Sequence, residues 1–417
     1  MIRTSCRSLV LLIAATAAQP SGHAQPATSN EQHCTGAVAV APQAQVDACT
    51  ALIGSKRYRG QNLAILHSNR GVAYGKAGDH ERAMADFDAA IRISPGHLRA
   101  HVNRGNAALA KHDYERAIAS FSQAIRLEPR NTQHLLSRAD AYDSKGDSKS
   151  ALADYDQAIK LDPNLAAAYF NRGLAHRRSG NADRAIADYD QAIKLSPNNV
   201  AAYNNRGIAY ADRGNAEQAL ADYDQALKLD PNYALAYLNR GLIWHARKLY
   251  DRAIADFDRA LRAAPDSAPA YNNRGTALDA QGEFDRALAD FDNAIRLDSD
   301  NASYYDNRGN VWRNKGHFER ATADYDKAIA LVPDFALAYY NRSQVNYLAG
   351  RFAAALADAN KATALDGRFA IAFNLRGLAQ EKLGARDAAL ADFRRALALD
   401  PNLQQPADAL RRLGATP

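Results

Sequence analysis

The sequence predicts an all-α solenoid of stacked helix-turn-helix hairpins, and two observations support this prediction. The first is a turn position that recurs every 34 residues. It is occupied by Pro95, Pro129, Pro163, Pro197, Pro231, Pro265, Ser299, Pro333, Gly367 and Pro401. The second is Asn-Arg-Gly, which recurs in the same register from residues 69–71 to 307–309. A fixed period of this length is typical of a repeat array. Residues 64–403 therefore divide into ten repeats, whose places we number 1 to 34.

Each repeat has the pattern of two helices. In repeat 5, residues 200–233, Tyr203 and Tyr210 lie on one face of a first helix because apolar positions recur at spacings of three and four. Gly214 can adopt the positive φ needed just past that helix. A second helix with the same spacing follows and ends before Pro231, because proline offers no N–H. A hairpin of this size cannot bury both of its faces alone, so neighbouring hairpins must stack.

The repeated residues resemble the tetratricopeptide repeat. Repeat 5 has an aromatic residue at place 4, Gly207 at place 8, Ala219 at place 20, Tyr223 at place 24 and proline at place 32. The resemblance covers residues 64–403. It implies a right-handed superhelix whose first helices line a concave groove that takes a protein or peptide segment.

Place 7 departs from the family, because it holds arginine where leucine is usual. Aspartate recurs at place 23, as in Asp188 and Asp256, so we expect Arg206 and its equivalents to pair with those carboxylates along the stack. An Asp-aromatic-Asp motif such as 188–190 resembles a metal-binding pair. Since it recurs in seven of the ten repeats, we interpret its carboxylates as a solvated helix face with the aromatic ring in the core.

The first residues predict export. Arg3 and Arg7 precede an apolar run, residues 9–18, and small residues then lead to Gln25. This order is typical of a secretory signal, here residues 1–24, and it indicates a periplasmic location. A retained anchor is the alternative, although ten apolar residues are fewer than the roughly 20 that cross a bilayer. We expect no stable membrane insertion.

Residues 25–63 lack the repeat pattern and contain Cys34 and Cys49. In an exported chain an even cysteine count favours a disulfide, which in the chain-entropy model stabilises a loop of this size by about 3 kcal/mol. Two free thiols, or a metal site that adds His33, are the alternatives. We predict a capping helix at 44–55 and a second cap within residues 404–417.

Composition and charge favour a soluble helical protein and argue against a nucleic-acid-binding protein. Hydrophobic residues make up 47% and charged residues 24%, as in soluble helical proteins. The formal charge is +6, and it falls to +4 if Arg3 and Arg7 are removed with the signal. Basic and acidic residues are interleaved, so no stripe for nucleic acid is predicted. We also expect no cofactor, metal site or catalytic site, and we interpret His97 and His101 as surface residues.

The predicted groove has two notable features. Place 6 is asparagine in eight repeats: Asn69, Asn103, Asn171, Asn205, Asn239, Asn273, Asn307 and Asn341. An amide both donates and accepts, so these side chains can bond to the backbone of an extended peptide. The alternative is that they bond between neighbouring helices.

Places 5 and 9 are apolar in the middle repeats and largely polar from repeat 7 onward. The apolar residues are Leu136, Phe170, Leu174, Ile208, Leu238 and Leu242. Exposed apolar clusters usually mark interaction sites, so we predict a groove centred on repeats 3–6. Burial between adjacent helices is the alternative. Arg177, Arg178 and His245 are candidate anion contacts in this groove.

These observations predict an exported adaptor or scaffold that binds an extended partner segment and is not an enzyme. A structural scaffold for assembly or export of an envelope polysaccharide is the alternative. We also expect repeat 9 to be locally weak, because Ser343 replaces glycine and Ala359 replaces the core aromatic residue.

Overall fold

The computed structural model describes residues 29–416, which form 23 helices and no strand. The all-α prediction is therefore confirmed for this part of the chain. The predicted signal, residues 1–24, lies outside the described residues. The helices divide into two compact units, with the boundary between Asn215 and Ala216.

The first unit contains the N-terminal segment and the repeats up to the first helix of repeat 5. Its helices are α1 (Ser29–Thr35), α2 (Pro42–Gly54), α3 (Gly60–Lys76), α4 (His80–Ile93), α5 (Leu98–Ala110), α6 (Tyr114–Leu127), α7 (Thr132–Lys145), α8 (Ser148–Leu161), α9 (Ala166–Arg178), α10 (Ala182–Leu195) and α11 (Val200–Asp212).

The second unit contains the remaining repeats and a short final helix. Its helices are α12 (Ala216–Leu229), α13 (Ala234–Ala246), α14 (Tyr250–Ala263), α15 (Ala268–Ala280), α16 (Phe284–Leu297), α17 (Ala302–Asn314), α18 (Phe318–Leu331), α19 (Ala336–Leu348), α20 (Phe352–Leu365), α21 (Ala370–Lys382), α22 (Arg386–Leu399) and α23 (Gln404–Arg412).

Within each unit the helices form hairpins that stack on one another. The two helices of a repeat pack together, as α13 does with α14, and the second helix also packs on the first helix of the next repeat. Place 8 explains the close approach inside a hairpin. A Cβ added to Gly241 would lie 2.6 Å from Cε1 of Phe257, the place-24 ring. Glycine therefore makes room for a ring that is fully buried.

The place-7 arginines pair with aspartates as predicted. Arg274 donates from Nε and Nη2 to both carboxylate oxygens of Asp290, at 2.7 Å each, and from Nη1 to Asp258 in the preceding repeat at 2.6 Å. Its guanidinium also lies over the place-4 ring of Tyr271, 5.6 Å from the centroid. The same two-oxygen contact to place 23 recurs at Arg70, Arg138, Arg172, Arg240, Arg308, Arg342 and Arg376.

Two interpretations from the sequence are wrong. The first carboxylate of the Asp-aromatic-Asp motif is not solvated: Asp290, for example, is only 4% exposed, because it lies between the helices beneath Arg274. His101 is not a surface residue either. It occupies place 4, where most repeats have an aromatic ring between hairpins, and its Nε2 lies 2.8 Å from the Pro95 carbonyl oxygen. His97 is half-buried and accepts at the start of α5.

Both ends of the described chain are covered by short helices. Helix α2 lies where the sequence predicts a cap, and it is joined to α1 by a Cys34–Cys49 bond with an S–S distance of 2.04 Å. Both sulfurs belong to a small core completed by Leu66 of α3. At the other end, Leu410 of α23 packs with Phe393 of α22.

Candidate functional site

A cavity of about 450 Å³ opens on the first helices of repeats 7, 8 and 9. Its lining is polar except for one leucine and one buried ring. It consists of Thr276 and Asp279 on α15, Asp306, Asn307, Asn310 and Arg313 on α17, Leu337, Tyr340, Asn341 and Gln344 on α19, and Phe291 on α16. The resemblance to the tetratricopeptide repeat implies that places 2, 5, 6, 9, 12 and 13 line the concave groove. The ten residues on first helices all occupy places 2, 5, 6, 9 or 12. We call this volume the repeat 7–9 cavity.

Hydrogen bonds hold one side of the cavity in place. Asn341 donates to both carboxylate oxygens of Asp306, at 2.9 and 3.1 Å. Asn310 donates to Asp306 at 3.3 Å and accepts from the buried hydroxyl of Tyr325 at 3.0 Å. The Asp306 carboxylate is therefore fixed between α17 and α19 by amides.

The guanidinium of Arg313 forms another part of the cavity lining. Arg313 donates to Oε1 of Gln344 at 2.7 Å, and Gln344 donates to the Tyr340 hydroxyl at 2.6 Å. Asp279 accepts from Asn314 at 3.2 Å. The cavity thus presents carboxylates, amides, a phenol and a guanidinium, which together can bond to donors and acceptors of an extended chain.

Burial shapes the electrostatics of these groups. Desolvation raises the pKa of Asp306 above its ordinary value, and the Asn341 amide and the Arg313 charge offset part of that rise. Burial likewise raises the pKa of Asp279 and that of Tyr340. The charged form of each carboxylate is therefore less stable than in water, so a cation placed beside either group would stabilise it.

The place-6 asparagines are largely engaged by the protein itself. Asn171 donates to Asp140 of the preceding repeat at 3.3 Å, Asn307 to Asn272 at 2.8 Å, and Asn341 to Asp306. These three amides join adjacent first helices, which was the alternative interpretation of the pattern.

The remaining place-6 asparagines differ from one another. Asn205 donates to the Ala201 carbonyl oxygen of its own helix at 2.8 Å, and Asn273 accepts from its neighbour Asn272. Asn69 and Asn103 are buried and Asn239 is half-buried. A direct role of this row in binding a peptide backbone stays a prediction.

Two of the predicted apolar contacts are not available to a partner, which corrects the prediction. Leu136 is 5% and Leu238 is 4% exposed, because place 5 packs into the core between adjacent hairpins. Phe170 and Leu174 are half-buried against the core that contains Tyr189, and Ile208 is half-buried. Leu242, at place 9, is 40% exposed.

The candidate anion contacts already have local partners. Arg177 lies 3.7 Å from Asp212, and Arg178 pairs with Asp143. His245 is half-buried beside the ring of Tyr250, and burial lowers its pKa, so it is mainly neutral at pH 7. Their binding of an anion stays a prediction.

The sequence reasoning missed the repeat 7–9 cavity because it favoured apolar places. The change from apolar to polar residues at places 5 and 9 was visible in the sequence at Asp306 and Asn310. A polar residue in the groove does not show by itself, however, whether neighbouring side chains provide its hydrogen bonds. The useful signal was a carboxylate at place 5, followed by arginine at place 12 of the same helix, Arg313.

The described residues give two further findings. No group of three or more His, Cys, Asp or Glu side chains within residues 29–416 is arranged to hold a metal ion. None of the helices from α1 to α23 combines the length and the hydropathy needed to cross a membrane.

Comparison with known protein families agrees with the repeat pattern. A family model described as tetratricopeptide repeat matches residues 102–166, 136–200, 170–234, 204–268 and 349–404. Other tetratricopeptide repeat models match residues 64–97 and 268–301, and a model described as TPR repeat matches 309–350. No catalytic family is indicated. No curated protein matches the chain in sequence.

One solved structure supports the same fold. The APC/C hetero-tetramer Cut9–Hcn1 contains a chain that is 16% identical, with 89% of this chain and 83% of that chain covered and a TM-score of 0.52. At this identity the likeness shows the fold alone. A tetratricopeptide repeat protein from Parabacteroides merdae ATCC 43184 is 25% identical, with 60% and 98% covered and a TM-score of 0.49. Yeast Tom70 is 16% identical, with 89% and 91% covered and a TM-score of 0.46.

Proposed function

Because the chain belongs to the tetratricopeptide repeat family, whose repeats generally mediate protein–protein interaction, we propose that it is an exported adaptor that binds an extended segment of a partner protein. The observation that supports this most directly is the repeat 7–9 cavity. Three consecutive first helices contribute to it, and its volume is within the range of about 300–1,000 Å³ that is usual for ligand sites.

The chemistry of the cavity suits a polypeptide. A peptide backbone presents alternating donors and acceptors, and the cavity offers both through Asn307, Gln344 and the Tyr340 hydroxyl. Leu337, which is 42% exposed at the edge, adds an apolar contact. Within the same unit, Leu242 is 40% exposed and is a candidate apolar contact for a longer segment. The half-buried Phe170 stays a separate candidate contact in the first unit.

Export is proposed from the sequence of residues 1–24, and the Cys34–Cys49 bond is consistent with an oxidising compartment. Mass spectrometry of the protein purified from its native cells tests this part. We expect an N-terminus near Gln25 and no alkylation of either cysteine before reduction. An intact Met1, or two thiols that are alkylated without reduction, would contradict export.

Site-specific photocrosslinking in intact cells tests the binding function. A photoreactive residue at Leu337, on the edge of the cavity, should form an adduct with a polypeptide. The matched control is Ala323, an exposed position on the second helix α18. Adducts at Ala323 with none at Leu337 would place the working surface on the second helices and refute the proposal. A glycan adduct at Leu337 would instead support the polysaccharide scaffold.

A further inference from the structure

Six buried carboxylates of the second unit have described hydrogen bonds, and these are of two kinds. Five of them contact a guanidinium through both oxygens: Asp256, Asp290, Asp324, Asp358 and Asp392. Asp306 is equally buried, at 2% exposure, but its hydrogen bonds come from the neutral amides of Asn310 and Asn341. A buried carboxylate is costly unless a charge compensates it, so Asp306 stands out from this set.

Asp279 has the same character one repeat earlier. It is half-buried in the cavity wall, and its side chain accepts from the neutral amide of Asn314 at 3.2 Å. Asp279 occupies place 12 and Asp306 occupies place 5 of the next repeat, so both line the same cavity from adjacent first helices.

The guanidinium in the cavity does not compensate either carboxylate by direct contact. Arg313 donates to the neutral Oε1 of Gln344, on the side of α19. Two carboxylates and one guanidinium leave the lining with a net negative charge when both carboxylates are ionised. The cavity therefore lacks one cation.

We propose that the repeat 7–9 cavity takes a basic side chain of the bound segment, lysine or arginine, whose cationic group lies against Asp306 and Asp279. This inference rests on the proposed function, because it names the residue class that the groove selects. Arg313 and Gln344 then bond to carbonyl oxygens of the segment, and Leu337 contacts the methylene stem of the basic residue.

The charge of the whole chain makes this selectivity easy to recognise. The formal net charge is +6, so the chain as a whole attracts acidic peptides and repels basic ones. A preference for lysine and arginine must therefore come from a local site.

The experiment uses an array of random ten-residue synthetic peptides, probed with the purified full-length chain at physiological ionic strength. We expect the bound peptides to be enriched in lysine and arginine. In the double variant Asp279→Asn with Asp306→Asn, binding of these peptides should fall by about tenfold or more, since losing one partner of a desolvated charge pair has effects of at least this size. The control Asp266→Asn, an exposed turn carboxylate outside the cavity, should leave the preference unchanged.

The outcomes separate this inference from the proposed function. Far-UV circular dichroism should show equal helical content for all three proteins, and the single variant Asp279→Asn, which removes the less buried carboxylate, repeats the test if the double variant loses helix. Bound peptides without basic enrichment, or enrichment that survives the loss of both carboxylates, would overturn the basic-residue inference alone. If the parent chain binds no peptide and forms no adduct at Leu337, both proposals fail.

Discussion

The contact between place 8 and place 24 gives the most quantitative prediction. In repeat 6 a Cβ on Gly241 would lie 2.6 Å from Cε1 and 2.9 Å from Cδ1 of Phe257. Repeat 9 has the opposite pair of residues: Ser343 replaces the glycine, its hydroxyl donates to the Ala355 carbonyl oxygen at 2.7 Å, and Ala359 replaces the ring. We therefore expect Gly241→Ser and Phe257→Ala to be coupled.

The magnitudes follow from packing. Gly241→Ser alone should lower the free energy of unfolding by about 1–3 kcal/mol, because the added atoms displace the Phe257 ring. Repeat 3 accommodates Ala139 in the same core as Tyr155, so the lower half of this range is expected. Phe257→Ala alone should cost about 3–5 kcal/mol by leaving a cavity. Combined, the serine enters the vacated space and its hydroxyl can bond to the Ala253 carbonyl, so the sum should be reduced by about 1–3 kcal/mol.

The assay is native-state hydrogen exchange of the α13 and α14 amides, with urea unfolding as support. Local exchange is preferred because a repeat array need not unfold in one step. The control combines Phe257→Ala with Gly275→Ser, which alters the same residue types in different hairpins and should be additive. If Gly241→Ser and Phe257→Ala add to within about 0.5 kcal/mol, the steric account of place 8 is refuted.

Three further predictions concern single residues. Lys248 has a φ of 59° in a turn where eight of the other nine repeats have glycine, so Lys248→Gly should raise the urea midpoint by an amount equal to about 1 kcal/mol, and a lower midpoint would contradict this. Arg240→Leu should lower the free energy of unfolding by about 3–5 kcal/mol, because it leaves Asp256 buried without its guanidinium. The control Arg104→Leu should cost less, because the partner of Arg104 in its own repeat is a serine hydroxyl. Equal losses in urea titrations would refute the charge argument. Burial lowers the pKa of His101 below 6.5, so the unfolded chain binds a proton at this histidine more readily than the folded chain does. The stability that depends on neutral His101 should therefore be fully present above pH 6.5 and decrease below it. The variant His101→Gln should lose less stability between pH 7 and 5, and an identical pH profile would refute the assignment.

The sequence predicted the repeating part of the fold because each place has one dominant physical demand. Proline ends the second helix, glycine admits the place-24 ring, and charge complementarity pairs place 7 with place 23. The pairing of Arg274 with Asp290 could be predicted from one repeat alone. Its second contact, with Asp258, could not, because that contact depends on which hairpin is the neighbour and how closely the two approach.

The candidate site was harder to predict for the same reason. Leu136 and Leu238 occupy groove places by their spacing, yet both pack into the core against adjacent hairpins. Whether a place-5 side chain faces solvent depends on its neighbours in adjacent helices. The unusual feature of Asp306 is likewise the neutrality of its partners, which no spacing pattern reports. The expected low stability of repeat 9 stays a prediction. Asn346 in that repeat donates to Asp358 at 2.9 Å, and this hydrogen bond replaces part of the apolar packing.

The arginine contacts also determine how the length of this protein can change. Five place-7 arginines reach back to a place-25 aspartate of the preceding repeat and across to the place-23 aspartate of their own repeat: Arg172, Arg240, Arg274, Arg308 and Arg342. Deletion of residues 268–301, one whole repeat, would bring Arg308 to the position that Arg274 holds relative to Asp258, so that no buried carboxylate would lose its guanidinium. A deletion of any other length would take the first arginine after the junction out of register with the place-25 side chain before it. Duplication or loss of genetic segments is therefore tolerated by the charge pattern only in whole repeats, and 34 residues is the unit in which such an array can lengthen or shorten.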